Sequence, residues 1–143
     1  MKLTVIGTGN MGKALMKGFI QGNIFKSEEI TVYDVIEAAR ENAAQTFGVN
    51  AASDPSSAVK DADYVLMAVK PQHFDNALKD IVPSLKNGAI VLSIAAAVTT
   101  TRIAAILDEG RKFVRIMPNT PAQVGAGVSA VCPIGLNEEE TAF

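Results

Sequence analysis

A glycine-rich run near the start of the chain is the first place where residue types and spacing indicate a chemistry. It follows the apolar run Leu3–Ile6, precedes an amphipathic segment, and consists of Gly7, Thr8, Gly9, Asn10, Met11 and Gly12. In the order strand, glycine loop and helix, this GxGxxG spacing is typical of dinucleotide binding. Gly7 permits the tight turn, Gly9 lets the backbone approach a pyrophosphate, and Gly12 lets the helix pack on the strand. The alternative is a glycine-rich turn that binds nothing.

An acidic residue follows the second apolar run, about 20 residues after the glycine loop. This is Asp34, directly after Tyr33, and we take both as candidate cofactor-binding residues. A carboxylate at this place binds the ribose hydroxyls of NAD and would repel the 2′-phosphate of NADP. No Arg or Lys stands at positions 35 and 36, and Arg40 lies a helical turn further on. The alternative is a cap for the helix predicted from Glu37, and the two roles are compatible.

Two later segments carry small or stiff residues where a cofactor could lie. The first is Ala68, Val69, Lys70 and Pro71, and the second is Ile94, Ala95 and Ala96. Lys70 could approach the phosphates, or it could be a solvated lysine before a proline that starts a helix. The small side chains of the second segment would let a nicotinamide ring lie against the backbone. They would equally allow close helix–sheet packing.

A proline-bracketed turn follows the sixth apolar run. Pro118 and Pro121 enclose Asn119 and Thr120, which makes the turn stiff. It would hold an amide and a hydroxyl near the nicotinamide end of a cofactor, and we take these two residues as the best candidates for contact with nicotinamide and substrate. The alternative is a purely structural turn.

Other reactive residue types are sparse. The only histidine, His73, stands at a predicted helix start and is expected to be a surface or capping residue. The only cysteine, Cys132, lies in an apolar stretch and is predicted to be a core residue. The acids Glu138–Glu140 are typical of a first helical turn. No cluster of metal-ligand spacing is present, so we predict no metal site.

The elements that position these residues alternate between strand and helix. Predicted strands are Leu3–Ile6, Ile30–Tyr33, Val49–Ala52, Tyr64–Val69, Ala89–Ile94, Phe113–Met117 and Val128–Cys132. Predicted helices run from the glycine loop to Gly22, over Glu37–Phe47, from Pro55 to about Lys60, over His73–Lys86 with a bend at Pro83, and from Thr99–Thr101 to about Glu109. This order predicts a Rossmann-type α/β fold, a doubly wound and mostly parallel sheet with helices on both faces. Ligands then bind beyond the carboxyl ends of the strands, near the switch point between strands 1 and 4.

Composition sets the class. The chain has 143 residues, 48% hydrophobic, with a net charge of −2. Such a chain is too apolar for a disordered tail and too weakly charged for a nucleic-acid or membrane partner. The single cysteine and the lack of a long apolar run favour a cytoplasmic protein.

Four segments together resemble one known family. They are GTGNMG at 7–12, AVKPQ at 68–72, SIAAAV at 93–98 and VRIMPNTPAQVGAGVSAV at 114–131. In this combination the chain is similar to the N-terminal domain of pyrroline-5-carboxylate reductases. The resemblance covers nearly the whole chain. The glycine loop is general to dinucleotide folds, and the RIMPNTP run is far more specific.

The resemblance implies reduction of 1-pyrroline-5-carboxylate to proline by NAD(P)H. A protonated imine accepts hydride without a strong catalytic acid, so alignment and exclusion of water are the main tasks. Asp34, and Ser53–Pro55 where the family often has an asparagine, favour NADH over NADPH.

The resemblance also implies an incomplete unit. We expect residues 1–143 to be the dinucleotide-binding domain, inactive alone. The family's C-terminal helical domain, which forms the homodimer and supplies much of the substrate site, is absent from this chain. The alternatives are a stand-alone NAD(H)-binding sensor module and a β-hydroxyacid dehydrogenase-like reductase.

Overall fold

Strands and helices alternate along the chain and build a single sheet. The computed structural model describes residues 1–142, with only the backbone of Gln123 and Val124. The strands are β1 (Leu3–Ile6), β2 (Ile30–Tyr33), β3 (Asn50–Ala51), β4 (Tyr64–Met67), β5 (Ile90–Ser93), β6 (Lys112–Met117) and β7 (Ala130–Ile134). The α-helices are α1 (Asn10–Gln21), α2 (Glu37–Phe47), α3 (Pro55–Val59), α4 (Phe74–Ile81), α5 (Thr100–Ala104) and α6 (Glu138–Ala142). Short 3₁₀ segments cover Ser27–Glu29, Pro71–His73, Val82–Ser84 and Thr120–Val124.

The sheet has the strand order β3-β2-β1-β4-β5-β6-β7. Strands β1 to β6 are parallel, and β7 returns antiparallel to β6, pairing Met117 with Ala130 and Phe113 with Ile134. The direction in which the strand order grows reverses between β1 and β4, so the switch point lies where the sequence predicts it. The predicted Rossmann-type doubly wound fold is confirmed.

Each face of the sheet carries its own apolar core. One face packs against α3, α4 and α5 through fully buried residues such as Phe74, Leu78 and Ile103. The other packs against α1 and α2 through Met16 and Ala43, which have no exposed surface. The central strands are therefore covered on both sides, which explains their continuous apolar sequences.

Several local predictions are confirmed in detail. Helix α2 spans Glu37–Phe47 and ends at Gly48, whose φ of 67° is the left-handed conformation of a helix C-terminus. At the start of α3, Asp54 Oδ1 accepts a hydrogen bond from the Ser57 N–H at 2.8 Å, and Pro55 is the first helical residue. Because the Ser57 hydroxyl and N–H both donate to this carboxylate, the pKa of Asp54 is lowered.

Several elements are shorter than predicted: β4 ends at Met67 rather than Val69, and β5 spans Ile90–Ser93 rather than 89–94. In place of the helix expected over 73–86, the structure has the shorter helix α4 with a 3₁₀ segment at each end. The first 3₁₀ segment begins with Pro71 and the second contains Pro83. A proline has no backbone N–H to donate to a helical hydrogen bond, so a regular α-helix is not continued through these positions. Helix α5 is capped by Thr99 as expected, but it ends at Ala104. Strand β3 pairs through two residues only.

The last strand differs most from its prediction. Strand β7 lies two residues later than expected, over Ala130–Ile134, and all five of its residues are exposed. The prediction that Cys132 is a core residue is therefore wrong, because no residue of β7 belongs to either apolar core of the described residues. Within residues 1–142, no helix is both long and apolar enough to cross a bilayer.

Candidate functional site

The carboxyl ends of the parallel strands bring the predicted site segments together. The glycine loop follows β1, Asp34 follows β2, and residues 68–71 follow β4. Residues 94–97 follow β5, and the proline-bracketed turn follows β6. All of these segments lie at one edge of the sheet on either side of the switch point, as expected of a nucleotide site in this fold.

Two of the loop glycines are required by packing. Gly7 has a φ of 97°, and a Cβ on it would lie 2.8 Å from the carbonyl oxygen of Ala68. A Cβ on Gly12 would lie 2.7 Å from the carbonyl oxygen of Gly7 and 3.1 Å from the Ala68 Cβ. The first turn of α1 therefore packs directly on β1 and on the segment that follows β4.

Gly9 is different, because a Cβ on it would meet nothing within 4 Å. It is the N-cap residue of α1, with an ordinary extended backbone. No side chain caps this helix, and no acidic residue stands in its first turn. Free N–H groups and the positive end of the helix dipole thus face open space beside Gly9. The residues present fit a pyrophosphate group at this point.

The carboxylate of Asp34 is bound to the protein itself. Its Oδ2 accepts hydrogen bonds from the Thr8 N–H at 2.8 Å and from the Thr8 hydroxyl at 2.9 Å. Its Oδ1 accepts one from the Ile36 N–H at 3.0 Å. The expectation that Asp34 caps the following helix is wrong in this form, because the N-cap residue of α2 is Ile36. Asp34 instead connects the end of β2 to the middle of the glycine loop.

The neighbours of Asp34 complete this corner. The Tyr33 carbonyl oxygen accepts a hydrogen bond from the Gly7 N–H at 2.8 Å, so β1 and β2 stay paired up to the loop. Arg40 folds back from α2, and its Nη2 lies 3.2 Å from Glu37 Oε1. The Arg40 Nη1 lies 3.5 Å from the carbonyl oxygen of Asp34, not from its carboxylate.

The segments after β4 and β5 lie beside the glycine loop. The Ala68 N–H donates to the Ile6 carbonyl at 2.8 Å, and the Ile94 N–H donates to the Met67 carbonyl at 3.3 Å. These bonds extend the parallel ladder one residue beyond each strand. Lys70 and Ala96 are exposed, and Val69 is half-buried.

The turn after β6 is closed by one of the predicted site residues. Asn119 Oδ1 accepts a hydrogen bond from the Val128 N–H at 3.0 Å, which joins the two ends of the segment 119–128. Thr120 begins a 3₁₀ segment that packs against α1, and both Asn119 and Thr120 are exposed. The oxygen of the Asn119 side chain thus has a structural role in closing the turn.

Sequence reasoning missed one further residue at this edge. Arg115 in β6 donates from Nε to the carbonyl oxygen of Val98 at 2.7 Å. That bond holds the segment after β5, in which Ala97 has a φ of 59°, a left-handed conformation unusual for alanine. The available signal was a charged residue inside an otherwise apolar strand.

An apolar cavity of about 230 Å³ lies elsewhere, on the α1 face of the sheet. Its lining includes Phe25, Ile90, Val114, Val131 and Pro133. None of the glycine-loop residues contributes to this lining, so the cavity is separate from the candidate nucleotide site. His73 is exposed at the end of a 3₁₀ segment, as expected of a surface residue.

Comparison with known sequences confirms the resemblance. Residues 2–97 match the model of a family described as NADP oxidoreductase, coenzyme F420-dependent. The chain is similar to a pyrroline-5-carboxylate reductase of Escherichia coli (strain K12), with 40% identity over 146 residues, 99% of this chain and 53% of the relative. It is 34% identical over 132 residues to a protein of the same name from Methanosarcina acetivorans, 92% of this chain and 49% of the relative. The chain spans about half the length of the curated relatives it matches.

Solved structures give the same result. A pyrroline-5-carboxylate reductase from Coxiella burnetii superposes with a TM-score of 0.91 at 28% identity, over 99% of this chain and 53% of that one. A pyrroline carboxylate reductase from Plasmodium falciparum with NADP bound gives 0.87 at 27% identity, over 99% and 52%.

Proposed function

The chain belongs to the family described as NADP oxidoreductase, coenzyme F420-dependent, and from that premise we propose that it is the cofactor-binding half of a pyrroline-5-carboxylate reductase. The observation that carries the proposal is the 40% identity to the Escherichia coli reductase over 99% of the chain. The proposal is supported by the free space beside Gly9, which lies at the N-terminus of a helix that no side chain caps.

Each segment at the carboxyl edge has a task in this proposal. The glycine loop and the N-terminus of α1 bind the pyrophosphate of NAD(P)H. Residues 68–71 and 94–96 line the cofactor, and Asn119 and Thr120 contact the nicotinamide or the substrate. Bound NAD(P)H supplies a hydride to the carbon of the protonated C=N bond, which gives proline and NAD(P)⁺. The protein's contribution is to align the ring with the imine and to exclude water.

The proposal also covers a further domain outside this chain, the cellular location and the partners. We propose that residues 1–143 form the dinucleotide-binding domain. We also propose that a helical domain outside this chain supplies the remaining substrate contacts and the interface of a homodimer or higher homo-oligomer. The 143-residue chain alone is then expected to bind cofactor without turnover. We propose a cytoplasmic location, and no nucleic-acid or membrane partner.

We also propose a preference for NADH. Asp34 places a carboxylate at the end of β2, where the 2′-phosphate of NADPH would meet a like charge. Arg40, whose Nη1 lies 3.5 Å from the Asp34 carbonyl oxygen, is paired with Glu37. Fluorescence titration of the chain with both reduced cofactors tests this preference. An affinity for NADPH equal to or above that for NADH contradicts it.

Activity is tested in a chimaera in which this chain replaces the matching half of the Escherichia coli reductase. We expect reduced cofactor to be consumed when pyrroline-5-carboxylate is added, and Gly9→Ala in the same chimaera to lower this consumption at least about tenfold at sub-saturating cofactor. A folded, cofactor-binding chimaera without turnover contradicts the reductase and favours a sensor module. Turnover of 3-hydroxy acids in place of the imine favours a β-hydroxyacid dehydrogenase-like enzyme.

A further inference from the structure

The Asp34 carboxylate does more at this edge than a ribose contact requires. Three hydrogen bonds from the protein reach its two oxygens, and two of the three come from Thr8. An ionised carboxylate has about four acceptor positions, so roughly one remains for a ribose hydroxyl. About half of its hydrogen-bonding capacity is therefore directed at the glycine loop, through Thr8.

Thr8 is well placed to transmit this contact. It stands between Gly7, which packs on the Ala68 carbonyl, and Gly9, which faces open space. Thr8 is only 4% exposed, so its side chain is turned into the protein and away from the side where a pyrophosphate would lie. Because the hydroxyl and the N–H of one residue bind the same oxygen, both the side chain and the peptide plane of Thr8 are fixed.

We propose that Asp34 and Thr8 are positioning residues that hold the glycine loop in its pyrophosphate-binding conformation. This inference rests on the proposed function, since it concerns the same cofactor site. The Asp34–Thr8 contact acts on binding of the pyrophosphate, which NADH and NADPH share. It therefore raises the affinity for both cofactors equally. Asp34 then has two separable effects. Its charge determines the ratio of the affinity for NADH to the affinity for NADPH. Its hydrogen bonds to Thr8 raise both affinities by the same factor.

The decisive variant is Thr8→Val, which removes the hydroxyl donor and keeps the N–H and nearly the same shape. We expect the affinities for NADH, NADPH and ADP-ribose each to fall about five- to tenfold, as for loss of a hydrogen bond to a charged group. The NADH to NADPH ratio is expected to stay constant. Adenosine, which lacks the pyrophosphate, is expected to lose less than about twofold, because the bond acts on the loop.

Two control variants accompany it. Thr8→Ser restores the hydroxyl and is expected to recover most of the affinity. Thr46→Val makes the same change at an exposed position of α2 and is expected to alter neither affinity nor stability. Circular dichroism at the titration temperature checks that each variant is folded.

The proposal is overturned if Thr8→Val leaves the affinities unchanged, alters the cofactor ratio, or weakens adenosine as much as ADP-ribose. The last result would indicate a merely structural contact. A second measurement needs no ligand: in Asp34→Asn, the Thr8 amide hydrogen is expected to exchange about tenfold faster, because its charged acceptor is lost. Unchanged exchange overturns the positioning role. A wild-type chain that binds no cofactor while Thr8 exchange responds as expected contradicts the proposed function alone.

Discussion

Arg115 in β6 holds the chain at Val98, a residue on the far side of the turn that follows β5. The Nε of Arg115 donates to the Val98 carbonyl oxygen at 2.7 Å, and the Val98 side chain is fully buried. Arg115 belongs to β6, whereas Val98 lies in the loop after the neighbouring strand β5, directly after the segment 94–97. A side chain of the sheet therefore determines the course of a loop that we assign to the cofactor site.

Arg115→Met is expected to lower the free energy of unfolding by about 1.5 kcal/mol, because the Val98 carbonyl loses a charged donor. Urea titration measures this change. Arg102→Met is the matched control: Arg102 is paired with Asp75 at 2.8 Å on the surface and is expected to contribute less than about 1 kcal/mol. Equal effects of the two variants would contradict the special role of Arg115.

The loop glycines are expected to separate folding from binding. A Cβ on Gly9 would meet no atom within 4 Å, so Gly9→Ala should leave stability nearly unchanged. It should reduce cofactor binding at least about tenfold, because the added methyl group blocks close approach of the pyrophosphate.

Gly12→Ala would place a Cβ 2.7 Å from the Gly7 carbonyl oxygen and should destabilise the fold by about 2 kcal/mol. Gly18→Ala, in the same helix with no nearby atom, should stabilise by about 0.5 kcal/mol. Thermal unfolding and cofactor titration measure both properties, and full binding by the Gly9 variant would argue against a pyrophosphate at that position.

Ala97 is strained by its left-handed backbone. With a φ of 59°, it occupies a conformation that costs an alanine about 1 kcal/mol and a glycine almost nothing. Ala97→Gly is therefore expected to leave stability unchanged or to raise it by as much as about 1 kcal/mol. Ala96→Gly, one position earlier and without a positive φ, should lower it by about 0.5 kcal/mol. Urea or thermal unfolding of both variants tests this prediction, and a lower unfolding midpoint for Ala97→Gly than for Ala96→Gly would contradict the strain at Ala97.

Asp63 makes the free energy of unfolding depend on pH in the acidic range. It accepts hydrogen bonds from Lys86 Nζ and, at 2.7 Å, from the Lys2 N–H, and the bond from Lys86 holds the pKa of this carboxyl below its ordinary value of 3.8. A lowered pKa means that the unfolded chain binds the proton first. The contribution of Asp63 is thus complete above its unfolded pKa and is lost as pH falls through the lower folded pKa.

Lys86→Met is expected to raise the pKa of Asp63 toward its ordinary value and to flatten the loss of stability below about pH 4. NMR titration of the Asp63 carboxyl carbon checks the pKa, and urea titrations at several pH values check the slope. A pKa of Asp63 that stays equally low without Lys86 would assign the effect to the Lys2 N–H instead.

Local sequence signals predicted most of the fold, and they failed where a distant residue decides. The C-terminal end of α2 follows from Gly48, and the start of α3 follows from Asp54 and Pro55, because these signals act within one helical turn. The exposure of Cys132 depends on β7 lying outside both apolar cores of the described residues, a tertiary feature that no local pattern reports.

The candidate site divides in the same way. Its segments could be predicted because the carboxyl ends of parallel strands share one edge. The bond between Asp34 and Thr8 spans 26 positions, and the bond between Asn119 and Val128 closes a nine-residue separation; neither partner choice is encoded by spacing. The sequence thus indicated which segments form the candidate site, and the structure was needed to identify the hydrogen bonds that hold those segments in place.

The two outermost strands limit how this molecule can associate. Strand β3 pairs through only two residues, and β7 contains Pro133, which has no N–H to offer an added strand. Neither border of the described sheet is a good template for a further strand, from another copy or from a misfolded chain. Self-assembly by continuous strand addition, the usual route to fibrous aggregates, is thereby disfavoured at both borders, and any stable association would have to use helices or a sheet face.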